Sequence, residues 1–146
     1  MNNALFKIPE LPCMCASLRR ASRALTQMYS EALRASGLLA TQFTILQALW
    51  QTGEVSQGEL GQILAIDSTT LTRTLRIMIR KNWITEHRGT DRRERLLRLA
   101  KAGRSQFNRT RPAWENVQVQ LGRQLGDERW HDLLKLSNEV TTLATQ

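Results

Sequence analysis

The chain has 146 residues, 21 Lys+Arg against 13 Asp+Glu, two cysteines and 41% hydrophobic residues, a length that suits one domain able to bury ~68–70% of its unfolded surface without staples. No apolar run approaches the ~18 residues of a bilayer-spanning helix, Met1 to Pro12 lacks the basic start and apolar stretch of a secretion signal, and Cys13 and Cys15 are too few for a disulfide framework. These features exclude a membrane protein, a collagen or coiled rod and a disulfide scaffold, and predict one cytoplasmic globular domain over 1–146.

In chain order, residues 1–12 carry Pro9 and Pro12 and read as an extended arm. Cys13 to about Ala35 has no Gly or Pro, and Cys15, Leu18, Ser22, Leu25, Tyr29 and Ala32 recur at helical spacing as one buried stripe, closed by Gly37. Thr41 is a suitable cap for a second helix with Phe43, Ile45, Leu46, Leu49 and Trp50 as its apolar positions and Gly53 as its stop. Ser56-Gln57-Gly58-Glu59 is a capping box, in which hydroxyl and carboxylate each satisfy an orphan amide. Leu60, Ile63 and Leu64 give the short helix that follows its apolar side. Asp67 opens another helix that runs to about Lys81, and only Ala65-Ile66 separates the two. Two short helices joined this closely form a helix-turn-helix.

The second of them has two faces. Leu71, Leu75 and Met78 point inward, while Thr69, Thr72, Arg73, Arg76 and Arg80 form a second stripe. Short hydroxyl side chains near a helix start can reach base edges, and longer cations further along can anchor phosphates. Ser68 and Thr70 add hydroxyls to the same N-terminal turn. Asn82 tolerates the left-handed backbone of a helix end. Trp83 to Arg88 alternates as a strand, residues 89–93 form a polar turn, and Arg95 to Leu99 is a second strand. A hairpin after a helix-turn-helix is a wing, and its tip carries Arg92 and Arg93, suited to the negative potential of a narrow minor groove. Lys101 onward is helical with an expected break at Pro112. Trp114, Val117, Leu121 and Leu125 continue the helical spacing, Gly126-Asp127 makes a corner, and Trp130, Leu133, Leu134, Leu136, Val140 and Leu143 mark a last helix.

Locating the charge sharpens this. Arg73 to Arg111 holds thirteen basic residues against three acids, a net +10, so the rest of the chain is at −2. Concentration of the whole excess in one folded stretch points to a polyanion, with nucleic acid ahead of a membrane surface. An enzyme fares poorly: there is no nucleophile–base pair, no glycine-rich phosphate loop and no metal motif, so no catalytic residue, metal or cofactor is expected.

The order of elements, with the wing Asp91-Arg92-Arg93-Glu94-Arg95-Leu96-Leu97-Arg98-Leu99 followed by Lys101-Ala102-Gly103, resembles the MarR family of bacterial transcription regulators over about residues 13–145. Ala100 stands where that family usually has threonine, and Asn82 where a glycine is common. The resemblance implies a mostly α fold with a β-hairpin wing, a winged helix-turn-helix core over 41–100 and dimerisation helices over 13–36 and 101–145. It further implies a homodimer on a pseudo-palindromic operator in double-stranded DNA, acting as a repressor. The DNA-contacting set would be Ser68, Thr69, Thr70, Thr72, Arg73, Arg76, Arg80, Asp91, Arg92, Arg93 and Arg95, with Arg93 entering the minor groove and Asp91 orienting the hairpin. The family's usual control is a small aromatic ligand between the dimer helices and the winged domain, where Phe43, Trp50 and Met28 are candidate lining residues.

A second mode of control resembles the organic-hydroperoxide-sensing branch of that family. There a cysteine at the place of Cys15 is oxidised and tyrosines of the partner chain hydrogen-bond it, which casts Tyr29 as the partner and Cys13 as an additional thiol. Where that branch has a second tyrosine this chain has Arg19, whose charge favours a nearby thiolate. A buried cysteine is also an ordinary small hydrophobe. Metal binding by Cys13 and Cys15 lacks the spaced Cys/His set of a zinc site, because His87 and His131 belong to unrelated elements. The competing class is an architectural nucleic-acid binder with no effector, for which the basic stretch would suffice.

Overall fold

A computed structural model describes residues 8–146, so the first seven residues of the arm lie outside the described part. Six helices and three short strands follow in the order α1 (Met14–Leu33), α2 (Ala40–Thr52), β1 (Glu54–Ser56), α3 (Gln57–Leu64), α4 (Ser68–Arg80), β2 (Ile84–Arg88), β3 (Arg95–Leu99), α5 (Lys101–Leu125) and α6 (Asp127–Ala144), with a single 3-10 turn at Arg34–Ser36. The fold is mostly α with a small antiparallel sheet, as the periodicity predicts.

The sheet has one strand more than the hairpin. Its order is β1-β3-β2, with Val55 opposite Leu97 on one side of β3 and Ile84 opposite Leu99 on the other. Three residues after a glycine carry no periodic signal of their own. Strand β1 exists because β3, far later in the chain, offers it a free edge.

The core is that of the winged helix. Phe43, Leu46 and Leu49 of α2, Leu60 of α3, Leu71, Leu75 and Met78 of α4, Val55, Ile84 and Leu97 of the sheet, and Phe107 of α5 are all buried. Ile63 is exposed, so α3 packs mainly through Leu60 and, at its edge, Leu64. Helix α2 starts slightly earlier than a cap at Thr41 would have it. Its cap is Leu39, whose N–H donates to Gln42 Oε1 at 3.1 Å, so a side chain inside the helix does the work expected of a hydroxyl before it. After α1 the chain is stopped where expected: Gly37, closing the 3-10 turn that follows the helix, adopts φ 74°, a left-handed cap that a Cβ would strain. Asn82 also takes the left-handed conformation, as does Ala65 in the turn of the helix-turn-helix.

Pro112 does not break α5, which runs 25 residues straight through it. The proline leaves the Asn108 carbonyl without its helical donor, a cost packing can outweigh. On one side of it Phe107 stacks on Phe43 with centroids 5.3 Å apart and contacts Trp50 at 5.6 Å. On the other side Trp114 meets Phe43 at 5.7 Å and Val117 is buried. Gln106, also buried, donates to the Ser36 carbonyl at 2.6 Å and so ties α5 to the turn after α1.

Helix α5 is seated on the sheet by a close backbone approach. The Ala100 N–H donates to the Trp83 carbonyl at 3.0 Å, and a Cβ built on Gly103 would lie 1.9 Å from the same oxygen. The glycine three residues into α5 is therefore a steric requirement. Gly103→Ala is expected to force α5 off β2 and lower stability by at least the ~1–3 kcal/mol typical of overpacking, read as a clear drop in melting temperature by circular dichroism.

Candidate nucleic-acid interface

Helix α4 is positioned from both sides. Asp67 is its N-cap, accepting from the Thr70 N–H at 2.9 Å, and this hydrogen bonding, from Thr70 first, holds the carboxyl below its ordinary pKa. Helix α3 begins with the complete capping box: the Ser56 N–H donates to Glu59 Oε2 at 3.0 Å and the Glu59 N–H donates to Ser56 Oγ at 3.2 Å. The Ser56 contacts lower the Glu59 pKa in the same way. Leu71, Leu75 and Met78 then clamp the inner face of α4 into the core.

The outer face stays open. Ser68, Thr69, Thr70, Arg73, Arg76 and Arg80 are turned away from the core, exposed or at most half-buried, and among the described residues no carboxylate lies within ion-pairing distance of the three arginines. Thr72 differs from its neighbours. It is half-buried and its hydroxyl accepts from Gln57 Nε2 at 2.8 Å, a contact invisible to any reading of α4 alone, because Gln57 lies on α3.

The wing tip is shaped by Asp91. Its Oδ1 accepts from the Arg93 N–H at 3.0 Å, its carbonyl accepts from the Glu94 N–H at 2.9 Å, and the Gly89 N–H closes the turn on the Glu94 carbonyl at 3.0 Å. Asp91 is thus occupied in holding the turn, while Arg92 and Arg93 project into solvent without a carboxylate partner among the described residues. Arg95 is otherwise engaged: its Nε pairs with Glu86 Oε1 across the hairpin at 3.2 Å. Between wing and helices lies an open cleft of about 1020 Å³, lined among others by Gln57, Gln62, Ser68, Leu71, Arg93 and Arg95, so the hairpin tip and the start of α4 border one space.

The other candidate residues lie at the opposite end of the fold. Cys13 is not helical; it precedes the first residue of α1 with an extended backbone, and both it and Cys15 are exposed on the single chain. The stripe expected to be buried is therefore open at Cys15, Leu18, Ser22 and Leu25 and closes only at Leu33. Beside it, Ser17 Oγ donates to the Leu11 carbonyl at 3.0 Å and Arg20 to the Pro9 carbonyl at 2.8 Å, laying the end of the arm along the helix. Tyr29 is half-buried, and its oxygen accepts from Gln118 Nε2 of α5 at 2.5 Å. Burial pushes its phenol above the ordinary pKa, and the Gln118 hydrogen bond offsets this only in part. That pair sits in an apolar cleft of about 630 Å³ shared by α1, α2, α5 and α6. Phe43 lines it; Trp50 instead packs tilted against Phe107 with Arg111 above its ring, and Met28 is not among the lining residues. Cys13 and Cys15 belong to no cluster of metal-ligating side chains among the described residues.

With this geometry the chain can be compared with known proteins. The family model for the MarR family matches residues 38–94. The DNA complex of the M. tuberculosis transcriptional regulator MosR superposes with a TM-score of 0.82 and 32% identity, over 91% of this chain and 96% of that one. The chain belongs to the MarR family of transcriptional regulators. The B. subtilis HTH-type transcriptional regulator YwoH is 27% identical to this MarR-family protein over 90 residues, 62% of this chain and 66% of that regulator. A cysteine-to-serine mutant of E. coli MarR, complexed with operator DNA, shares the fold at a TM-score of 0.77 and 20% identity, over 87% of this chain and 92% of that one. No helix among the described residues is long and apolar enough to cross a membrane.

The two capping carboxylates of the helix-turn-helix predict an acid response. Their folded pKa values are lowered, so each contributes stability above the ordinary carboxylate range and loses it as pH falls through the lowered value. In melts from about pH 6 to about pH 3, the Glu59→Gln/Asp67→Asn double variant is expected to lose less stability on acidification than the wild type.

Proposed function

We propose that this MarR-family protein is a homodimeric repressor that reads a pseudo-palindromic operator in double-stranded DNA through α4 and the wing. Release follows oxidation of Cys15 or entry of a small apolar or phenolic ligand into the cleft beside Tyr29. The observation that carries the reading is the set of guanidinium groups left without an acid. Arg73, Arg76, Arg80, Arg92 and Arg93 stand on one helix face and one hairpin tip, with no carboxylate of the described residues in reach. Holding five like charges on a folded surface is unfavourable without a counter-charge, and a phosphate backbone supplies one. Ser68, Thr69, Thr70 and Thr72 contribute short donors and acceptors to the same surface, Asp91 holds the wing turn, and Arg95 braces the hairpin through Glu86. The likeness to MosR, solved with DNA, supports the same partner.

Dimerisation is supported by what the single chain leaves uncovered. Helix α6 has no buried residue, and Leu133, Leu136 and Leu143 are 44%, 56% and 73% exposed. Leu18 and Leu25 on α1 are open as well. Apolar side chains in this number on neighbouring helices mark an interface with another chain. In such an assembly the Tyr29 phenol, whose oxygen accepts from Gln118, still has its own proton to donate, and a partner cysteine is a fitting acceptor. An organic hydroperoxide would oxidise the Cys15 thiolate by transfer of its terminal oxygen, leaving an alcohol and a sulfenic acid.

Fluorescence anisotropy on a duplex from the chain's own upstream region tests the DNA step. Affinity is expected to fall steeply between low and physiological salt. Arg73→Ala or Arg76→Ala should cost about 1–3 kcal/mol where the side chain is bidentate to guanine, and Arg93→Ala should blunt the preference for A·T pairs near the wing. Flat salt dependence would sink the reading. An architectural binder would instead bind unrelated duplexes equally well. Adding an organic hydroperoxide should release the wild type and leave Cys15→Ser bound; indifference of both proteins removes the oxidative arm and leaves the ligand arm.

A further inference from the structure

Gln57 opens α3, and Thr72 stands in the second turn of α4, fifteen residues later. Threonine in a helix commonly spends its hydroxyl proton on the carbonyl four residues back. Thr44, Thr74 and Thr110 all do so here. Thr72 does not. Its one side-chain hydrogen bond among the described residues is the one it accepts from Gln57 Nε2 at 2.8 Å. A hydroxyl has a single proton and two lone pairs, so a Thr72 oxygen that is already accepting keeps its proton to give. The neighbouring residue Leu71 and, three beyond Thr72, Leu75 are buried and hold the backbone of this turn, while Arg73 on its other side is exposed. Thr72 therefore lies at the border between the packed and the open face. Gln57 lines the cleft that also holds Arg93.

We propose that Gln57 is a positioning residue for base recognition: by donating to Thr72 it occupies one of that oxygen's two lone pairs and polarises the hydroxyl, biasing it to donate toward the major groove. Resting on the reading of α4 as the recognition helix, the inference names what the pair selects. A hydroxyl biased to donate suits an acceptor edge, the O6 and N7 of guanine or the O4 of thymine, over cytosine, whose major-groove edge presents only the N4 donor. Without Gln57 both lone pairs are free and that bias is lost.

The test uses the full chain and a pool of duplexes with randomised positions, in which the protein-bound fraction is sequenced. The wild type should deplete cytosine at one position of each half-site by about fivefold or more, the scale of one hydrogen bond. Gln57→Ala and Thr72→Val should each erase the preference at that position alone, and the double variant should erase no more than either. Thr72→Ser, which keeps the hydroxyl, should retain the wild-type pattern. Gln57→Glu offers the sharpest readout: its carboxylate accepts the hydrogen bond of the Thr72 hydroxyl, leaves the Thr72 oxygen only its lone pairs to offer, and should enrich cytosine where the wild type depletes it. A structural role alone would weaken binding to every duplex alike. That outcome for Gln57→Ala, or an unchanged pattern, overturns the proposal and leaves the regulator reading standing. If the wild type itself enriches no sequence, the regulator reading falls and takes this inference with it.

Discussion

The Trp83 carbonyl is where the two halves of this chain are joined. It accepts the Ala100 N–H and lies against Gly103 so closely that no side chain fits between. That contact sets the start and direction of α5, and much of the remaining architecture follows from that direction. Pointed this way, α5 brings Phe107 onto Phe43 and closes the winged-helix core. It then runs on past Pro112 to place Trp114 beside α2 and Gln118 beside Tyr29 of α1. A side chain at position 103 would shift a helix of 25 residues, and small displacements at its base would grow along its length.

The same helix separates two chemistries. At its base lie the sheet and the helix-turn-helix, with outward arginines that find no acid among the described residues; at its far end lie α1 and α6, whose leucines face solvent in a single chain. The first lacks counter-charge and the second lacks apolar cover, so the two surfaces differ in chemistry. The apolar cleft that contains Tyr29 and Gln118 adjoins the second surface and also reaches Phe43 of the winged core. That cleft and the winged-helix core thus share one aromatic ring.

Within the basic stretch, the structure sorts residues that composition treats alike. Arg95 is tied to Glu86 and Lys81 lies over the Trp83 ring at 4.6 Å. Asp91 spends its carboxylate on the Arg93 amide. Each braces the scaffold, while Arg73, Arg76, Arg80, Arg92 and Arg93 keep their charges outward. The +10 of the segment is therefore partly structural, and five of its acid-free arginines stand on one helix face and one turn.

Local order in this protein was legible in its sequence because its causes are local. The caps at Ser56 and Asp67, the glycine stop at Gly37, the left-handed Asn82 and the two faces of α4 each depend on residues within a turn or two of one another. What depended on distant partners was not legible: strand β1 needed the edge of β3, and α5 passed through Pro112 because aromatic rings on both sides outweighed one missing hydrogen bond. The start of α2 is a local exception, since Gln42 replaced the hydroxyl cap that Thr41 suggested. The candidate site divides the same way. The outward stripe of α4 could be drawn from spacing, but the tie from Gln57 to Thr72, the pairing of Arg95 with Glu86 and the exposure of Cys15 arise only when α3, the hairpin and α1 are placed in space. Length, charge and periodicity by themselves determined a basic winged-helix fold. Which of its polar groups are held and which are left free was decided by tertiary structure, because a hydrogen bond or ion pair exists only where folding brings both partners within reach.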